Sequence, residues 1–577
     1  MYKNKRHKLN VMRTQMDLER SSFIAHWRDI ADYIMPRRPR FELTDTNRGD
    51  KRNQKIIDST ASMAVRTLRA GMMSGVTSPA RPWFRLTTPD AGLAEYGPVK
   101  EWLHFVTNRM TTSFLRSNLY NVLPATYGDL GLFATAPLMI EEDSKDIMHA
   151  SSFPVGSYMV AQDSKGRVNT FFREFRMTVR QIVEMFAGRR GKEIDWSNIS
   201  VYVKNQWDMS NYETWIDVCH VIYPNEEYIP GSNIGKEKKF AECYYERGGY
   251  SGQGGSYLKG PDEEKFLREE GYTYFPVLCP RWELTGEDVY GTECPGMMAL
   301  GDVKQLQSVE KRIMQMIEKM VNPPMVAPTS MKNSAASILP NGITYADIRD
   351  GMQGFRPAHE INPRIQEAEM KQDQTRTRIN KAFFVDLFLM LANSDRRQIT
   401  AREIDERHEE KLLALGPVLE QLNQDLLDPL IDVAFDLHIK QGLIPEPPEE
   451  LQGIGLKVEY ISIMAQAQKL VGLAGIDRFS GFVANLMQVA PEIKDKLNVD
   501  QFVDEYADIT GVPPTLVFTD DQAAETRAAR AEQQQAQQQM AMAQQAAMTA
   551  KDMSQTKLEG TDVLSRALGV PSSGAIA

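Results

Sequence analysis

An α+β fold is predicted by two changes of texture along the 577 residues. Up to about residue 136 apolar residues recur at three- and four-residue spacing, the helical period; from about 137 to 285 short aromatic and β-branched runs between turn residues read as strands. After YGTECPG the helical period returns in longer segments. Hydrophobic residues at 42% are enough for most of the chain to fold, and the length suits roughly three or four domains.

The first helix carries Leu9, Met12, Met16, Phe23, Trp27, Ile30 and Ile34 on one face and is stopped by Pro36 in MPRRPR. In IIDSTASMAVRTLRAGMMSGVTSPARPWFRL (56–86), Ala61, Val65, Leu68 and Met72 again share a face, behind Asp58 and Ser59 as N-caps. Thr60, Ala64, Gly71 and Gly75 give this helix a small flank suited to close packing, while Arg66 and Arg69 point elsewhere. Pro79 and Pro82 end it, and Trp83 and Phe84 follow as a large apolar anchor assigned to the core. Val99, Leu103, Val106, Met110 and Phe114 mark the next helix.

SYMVAQDSKGRVNTFFREFRM reads as a β-hairpin turning at DSKG, and Thr178 with Gln181 as a capping box opening the helix VRQIVEMF. WIDVCHVIY, KFAECYYER and YFPVLCPRWEL read as further strands. RGGYSGQGGSY lacks a following GKS or GKT and a helix, so it reads as a hairpin connection and not a phosphate loop.

Between Met298 and Met320, Val303, Leu306, Val309, Ile313, Met316 or Ile317, and Met320 predict a helix on the order of 35 Å long, ended by NPP at 322–324. An insert follows, with Asn341-Gly342 as a short turn between ILP and ITY. A second long helix starts near Pro363 with a small, polar stripe (Ile365, Ala368, Gln372, Thr375, Ile379, Ala382) and charges all round. Such a helix must lie against neighbours through paired charges or bridge in solvent. NSDRRQIT (393–400) is expected to break it. A third helix over roughly 401–441 carries Leu412, Leu415, Leu419, Leu422, Leu426, Leu430, Val433 and Leu437; LKVEYIS reads as a strand and helical segments run to about 510. The Ala/Gln/Met-rich tail favours helix but has a weak apolar stripe.

No catalytic layout is found. GxxxxGK[ST], GxSxG and HExxH are all absent, and EED (141–143) and DEEK (262–265) read as solvated faces, so no catalytic residue, metal or cofactor is expected. Cys219, Cys243, Cys279 and Cys294 show no CxxC spacing, which predicts reduced thiols. The basic start MYKNKRHKLN has no apolar run after it, and the most apolar tract, AFFVDLFLMLA, is short and interrupted by Asp386; neither a secretory signal nor a membrane span is expected. A net charge of −10 argues against a protein that grips nucleic acid by neutralising phosphates, though not against one that DNA slides past.

DSTASMAVRTLRAGMMSGVTSPARPWFRL, YGTECPGMMALGDVKQLQSVEKRIMQMIEKMVNPPMVAP, the helix–insert–helix after it and the Gln/Ala-rich end beyond GVPPTLVFTDD occur together in this order. In that combination the chain resembles the portal, or head-to-tail connector, proteins of short-tailed double-stranded-DNA bacteriophages. The resemblance implies a portal fold assembled as a homo-oligomeric ring of about twelve copies at one capsid vertex of the virion, made in the host cytoplasm. It implies a wing over 1–295, stem helices at 296–321 and 363–392, and a clip at 322–362 between them. It further implies a channel loop at 393–400, a long wing helix at 401–445, a wing strand and crown helices at 446–515, and a tail at 516–577 that can form a helical barrel.

The implied partners are capsid and scaffolding proteins, the terminase packaging motor, tail adaptor proteins and the double-stranded DNA in the channel; another structural virion component, a tail tube or adaptor, is the alternative. The channel loop would present Asn393, Ser394, Asp395, Arg396, Arg397 and Gln398, with Arg396 and Arg397 either meeting DNA or forming salt bridges between subunits. Asn341, Gly342, Ile343 and Tyr345 would serve clip docking. On this view the polar helix at 363–392 is satisfied by adjacent subunits, and its remaining face meets water and DNA.

Overall fold

The computed structural model describes residues 5–43, 49–190, 193–248, 250–251, 255–321, 325–326, 332, 356–357, 365–394, 415–462, 479, 482–483, 486, 501–503 and 520–555. The chain divides into two compact units, one of 1–89 with 101–474 and one of 90–100 with 475–577.

The first unit opens with α1 (Lys5–Ile34), whose apolar stripe buries Leu9, Met16, Trp27, Ile30 and Ile34. Arg6 and Arg20 are buried on it too, because their guanidinium groups reach backbone carbonyls: Arg6 those of Asp262 and Lys265, Arg20 those of Gly156 and Tyr158. Then come α2 (Thr60–Gly75), β1 (Phe84–Thr87), α3 (Gly97–Arg116) and α4 (Leu119–Phe133). Of the two expected caps of α2 only Asp58 acts, its carboxylate accepting the Thr60 amide at 2.7 Å; the Ser59 side chain makes no capping bond. Leu68 and Met72 are fully buried, and α2 packs on α4. Trp83 and Phe84 sit in the core: the Trp83 ring stacks on Phe114 at 5.9 Å and its indole N–H donates to the Tyr120 hydroxyl at 3.0 Å.

The strands follow: β2 (Leu138–Asp143), β3 (Ile147–Ser152), β4 (Tyr158–Gln162), β5 (Val168–Thr178), then α5 (Val179–Phe186), α6 (Val201–Asp208), β6 (Trp215–Pro224), β7 (Phe240–Glu246), β8 (Arg268–Tyr272) and β9 (Val277–Leu278). They form a five-stranded antiparallel sheet in the order β8-β7-β6-β5-β4 and a three-stranded one in the order β9-β2-β3. Both expected local signals hold. Asp163 closes the DSKG turn by accepting the Lys165 and Arg167 amides, and Thr178 with Gln181 forms a reciprocal capping box. Leu9 and Met16 of α1 cover one face of the large sheet, over Phe172, Cys219 and Tyr245; Ile182, Phe186 and Val203 of α5 and α6 cover the other, over Val218 and Tyr244. Covering on both faces is why WIDVCHVIY is apolar without alternation.

A polar cluster on β6 and β7 interrupts this core. The buried Glu242 carboxylate receives His220 Nε2 at 2.9 Å, Arg268 at 3.0 Å and the Tyr272 hydroxyl at 3.2 Å, and the His220 ring stacks on Tyr244. Burial outweighs the pull of Glu242 and brings the His220 pKa down to about 4, so the imidazole is neutral. This network also explains β8, whose REEGY composition hid it as a strand: Arg268 and Tyr272 pair with Glu242 from the sheet edge.

Beyond the sheets lie α7 (Pro295–Val321), α8 (Ile365–Ala382) and α9 (Val385–Ser394). Helical residues 415–422 lead into a π-helical turn, Asn423–Leu427, and on into α10 (Asp428–Lys440). The expected stripe of that helix is buried from Leu415 to Leu437; Leu412 lies outside the described residues. The π turn is a departure from the regular helix expected there. Next to Leu426 in that turn, Asp425 pairs with Arg281, which is 2% exposed and also donates to the Gly166 carbonyl at 2.9 Å. Strand β10 (Lys457–Tyr460) returns to pair antiparallel with β1, Phe84 opposite Tyr460. In the second unit, α11 (Asp520–Gln555) exposes Met540, Met542 and Met548.

Candidate functional site

The two helices that flank the 322–362 insert form an antiparallel hairpin. Asp302 of α7 pairs with Arg378 of α8 at 2.7 Å, while eight residues further along α7 Glu310 meets Gln372, so one helix climbs as the other descends. At the end of this hairpin Met325–Val326 and Arg356–Pro357 pair as two short antiparallel strands, bringing the two ends of the insert together.

The helix read as polar on all sides is held within its own chain, which corrects the expectation that adjacent copies must satisfy it. Gln372, Thr375 and Ile379 of α8 are 5%, 2% and 0% exposed. The Arg376 guanidinium grips the Asp58 carboxylate at 3.0 and 2.9 Å and reaches Asp373 at 2.9 Å. Two residues whose stripe positions looked merely polar are therefore core, because α7 and α2 both pack on α8.

The meeting point of these helices is the segment entering α2. Gln307 of α7 is 4% exposed; its carbonyl oxygen accepts the Ile57 and Asp58 amides at 2.6 and 2.8 Å, and its amide donates to the Asp58 carbonyl at 2.8 Å. Asp58 thus ties α2 to α7 through its backbone and to α8 through its carboxylate. Burial works against that carboxylate, but the Thr60 bonds and the Arg376 charge prevail and hold its pKa below the ordinary carboxylate value. The sequence carried one overlooked signal for this site: Gln307 follows Val303 by four residues on the apolar face of α7, where an aliphatic residue was due.

An interruption that the sequence did not announce follows α8 at Phe383-Phe384, where Phe384 adopts a left-handed φ of 54° that a bulky side chain rarely takes; of the expected break at NSDRRQIT (393–400), residues 395–400 lie outside the described residues. Phe383 is fully buried, and the Phe384 ring lies 6.4 Å from Trp282. Beyond the interruption α9 packs on α2. A Cβ at Gly71 would lie 2.1 Å from the Phe388 ring, so the small flank of α2 admits this contact and no larger residue fits.

Toward the insert the hairpin changes character. Ile317 and Met320 of α7 are 44% and 45% exposed, Met314 and Val321 more so, and Met370 of α8 lies open as well. Of the expected site residues, Asn393 and Ser394 form the C-terminal end of α9. Asp395, Arg396, Arg397 and Gln398, and Asn341, Gly342, Ile343 and Tyr345, lie outside the described residues. Among the described residues no group of three or more His, Cys, Asp or Glu is placed to hold a metal ion, and no helix is long and apolar enough to cross a membrane. The four cysteines are free and buried, and burial raises the Cys219 thiol to about 12.

Known proteins match this chain along nearly its whole length. The family model described as bacteriophage head to tail connecting protein matches residues 6–517. The portal protein of Salmonella phage epsilon15 is 46% identical over 574 residues, covering 99% of this chain and all of that protein. The probable portal protein of Bordetella phage BPP-1 is 41% identical over 536 residues, 93% of each. A match of this length leaves neither sheet nor helix hairpin outside it, and the chain belongs to the bacteriophage head-to-tail connecting protein family.

Proposed function

We propose that the chain is the protomer of a ring of about twelve copies, set at one capsid vertex, through which duplex DNA is packaged and later ejected. The observation that carries the ring is the split character of the α7–α8 hairpin. Its inner half is satisfied by α2 within the chain, yet its outer end leaves Met314, Ile317, Met320, Val321 and Met370 in water. Several large apolar side chains left in water at one end of a hairpin suit an interaction site, and a head-to-tail contact that closes into a ring would cover them on every copy. The hairpin is then the stem, the 322–362 insert the clip that docks the packaging motor and afterwards the tail, and 393–400 the loop that narrows the bore. A net charge of −10 suits a wall that does not hold phosphates.

On this reading the protein assembles in the host cytoplasm with capsid and scaffolding proteins and acts in the virion. It works as a conduit without catalysis of its own. Deleting 322–362 tests the clip: rings should still form while motor and tail attachment is lost, and a chain that no longer folds would count against the assignment. Replacing Arg396 and Arg397 by Ala should change packaging or DNA retention more than melting temperature; equal loss of both would mean that these arginines only brace subunits.

A further inference from the structure

A cavity of about 470 Å³ lies on the outer face of α2, floored by Met73, Pro79 and Pro124 and walled by Arg66 and Arg69. Its positive charge is offset only in part, by Asp129. The nearby carboxylate, Asp129, is held by Arg38 through two nitrogens at 2.9 and 2.8 Å, while Arg69 Nε donates to the Pro124 carbonyl. Burial, opposed by the Asp129 charge and helped by the like charges of Arg38 and Arg66, pushes the Arg69 guanidinium down. The cavity therefore suits an apolar side chain flanked by carboxylates.

The chain displays such a group elsewhere. The β6–β7 connection, NEEYIPGSNIGKEKK (225–239), carries Glu226 and Glu227 on its first limb and Lys236, Glu237, Lys238 and Lys239 on its return limb. Tyr228, Ile229 and Ile234 stand 46%, 51% and 58% exposed on it, and the Glu226 side chain is 78% exposed beside Lys8. The tip cannot reach the cavity of its own chain. Glu226 is tied to Lys8 at one end of α1, and the Ser62 hydroxyl of α2 bonds the Ile34 carbonyl at the other. From Lys8 to Ile34 the helix rises about 39 Å. Knob and hole thus sit on separate parts of the surface, which is the arrangement of a head-to-tail contact.

We propose that the hairpin tip of one copy seats in the Arg66–Arg69 cavity of a second copy, Tyr228 or Ile229 entering the apolar floor and Glu226 and Glu227 facing the arginines. The contact rests on the ring reading and names one of the surfaces that would close it. It is tested with Ala70→Cys, at the exposed rim of the cavity, combined with Tyr228→Cys in the full chain; the four native cysteines are buried. Mild oxidation of the sedimenting assembly should give a reducible ladder of covalent multimers, and either single variant dimers at most. In parallel, Glu226→Lys with Glu227→Lys should weaken self-association about tenfold or more, and adding Arg66→Glu should recover part of that loss. An assembly that forms but yields no ladder, or a disulfide closed within one chain, overturns the docking and leaves the ring standing. A chain that stays monomeric under all conditions overturns the ring and the docking with it.

Discussion

Gln307 offers the sharpest handle on how the inner half of the hairpin is held. Its side chain makes three hydrogen bonds to Ile57 and Asp58, just ahead of α2, at 2.6, 2.8 and 2.8 Å, from a position 4% exposed. Gln307→Leu keeps most of the volume but leaves two amides and one carbonyl without their partner. At about 1 kcal/mol per bond the local opening of this segment should become easier by about 3 kcal/mol, roughly a hundredfold in equilibrium. Hydrogen exchange on a peptide covering 56–63 reads this directly. The variant should exchange about a hundredfold faster there, while Gln305→Leu, at an exposed position two residues away, leaves the rate unchanged. A Gln307→Leu rate within about threefold of the parent would refute the reasoning, since water would then replace the side chain at almost no cost.

Other perturbations follow from the same contacts. Gly71→Ala puts a Cβ into the Phe388 ring and should cost about 1–3 kcal/mol, and Phe388→Ala in the same chain should recover part of it in a double-mutant cycle of melting curves. Arg281→Met strands Asp425, whose side chain is 15% exposed, and should cost about 3–5 kcal/mol by denaturant titration, whereas joint replacement of both by apolar residues should cost far less. His220 is neutral in the fold at about pKa 4 against an ordinary 6.5, so the unfolded chain takes up the proton first. Its contribution is full above about pH 6.5 and is lost as pH falls toward 4; melting temperatures across that window should drop less steeply for His220→Gln, which can still donate to Glu242. Asp58 acts at lower pH: its depressed pKa supplies stability above about pH 4 that is lost on further acidification, and Asp58→Asn should remove that acid limb from the melting profile.

Local chemistry was legible in the sequence and long-range pairing was not. The cap at Thr178, the DSKG turn and the stop of α1 before Pro36 all depend on neighbours within a few residues, and each stands as read; Trp83 is buried as its size and apolarity predicted, though against Phe114 and Tyr120 further along the chain. Gln307 and Ile57 are 250 residues apart, and Arg376 and Asp58 are 318 apart; no periodicity connects such pairs, so α8 read as a rod lacking partners in its own chain. The left-handed turn at Phe384 was equally hidden, because FFVDLF contains no Gly, Asn or Pro to announce it. Strand β8 was missed because its side chains face a buried carboxylate and not an apolar core. The channel-loop and clip residues came from resemblance alone, and all but Asn393 and Ser394 lie outside the described residues.

The central claim is that copies of this chain close around a bore wide enough for duplex DNA. Electron-microscope images of the purified full chain, viewed along the particle axis, test it most directly. The account predicts closed rings with one central hole and the α7–α8 hairpins arranged around it. Folded monomers alone at micromolar concentration, or open chains of subunits that never close, would contradict it.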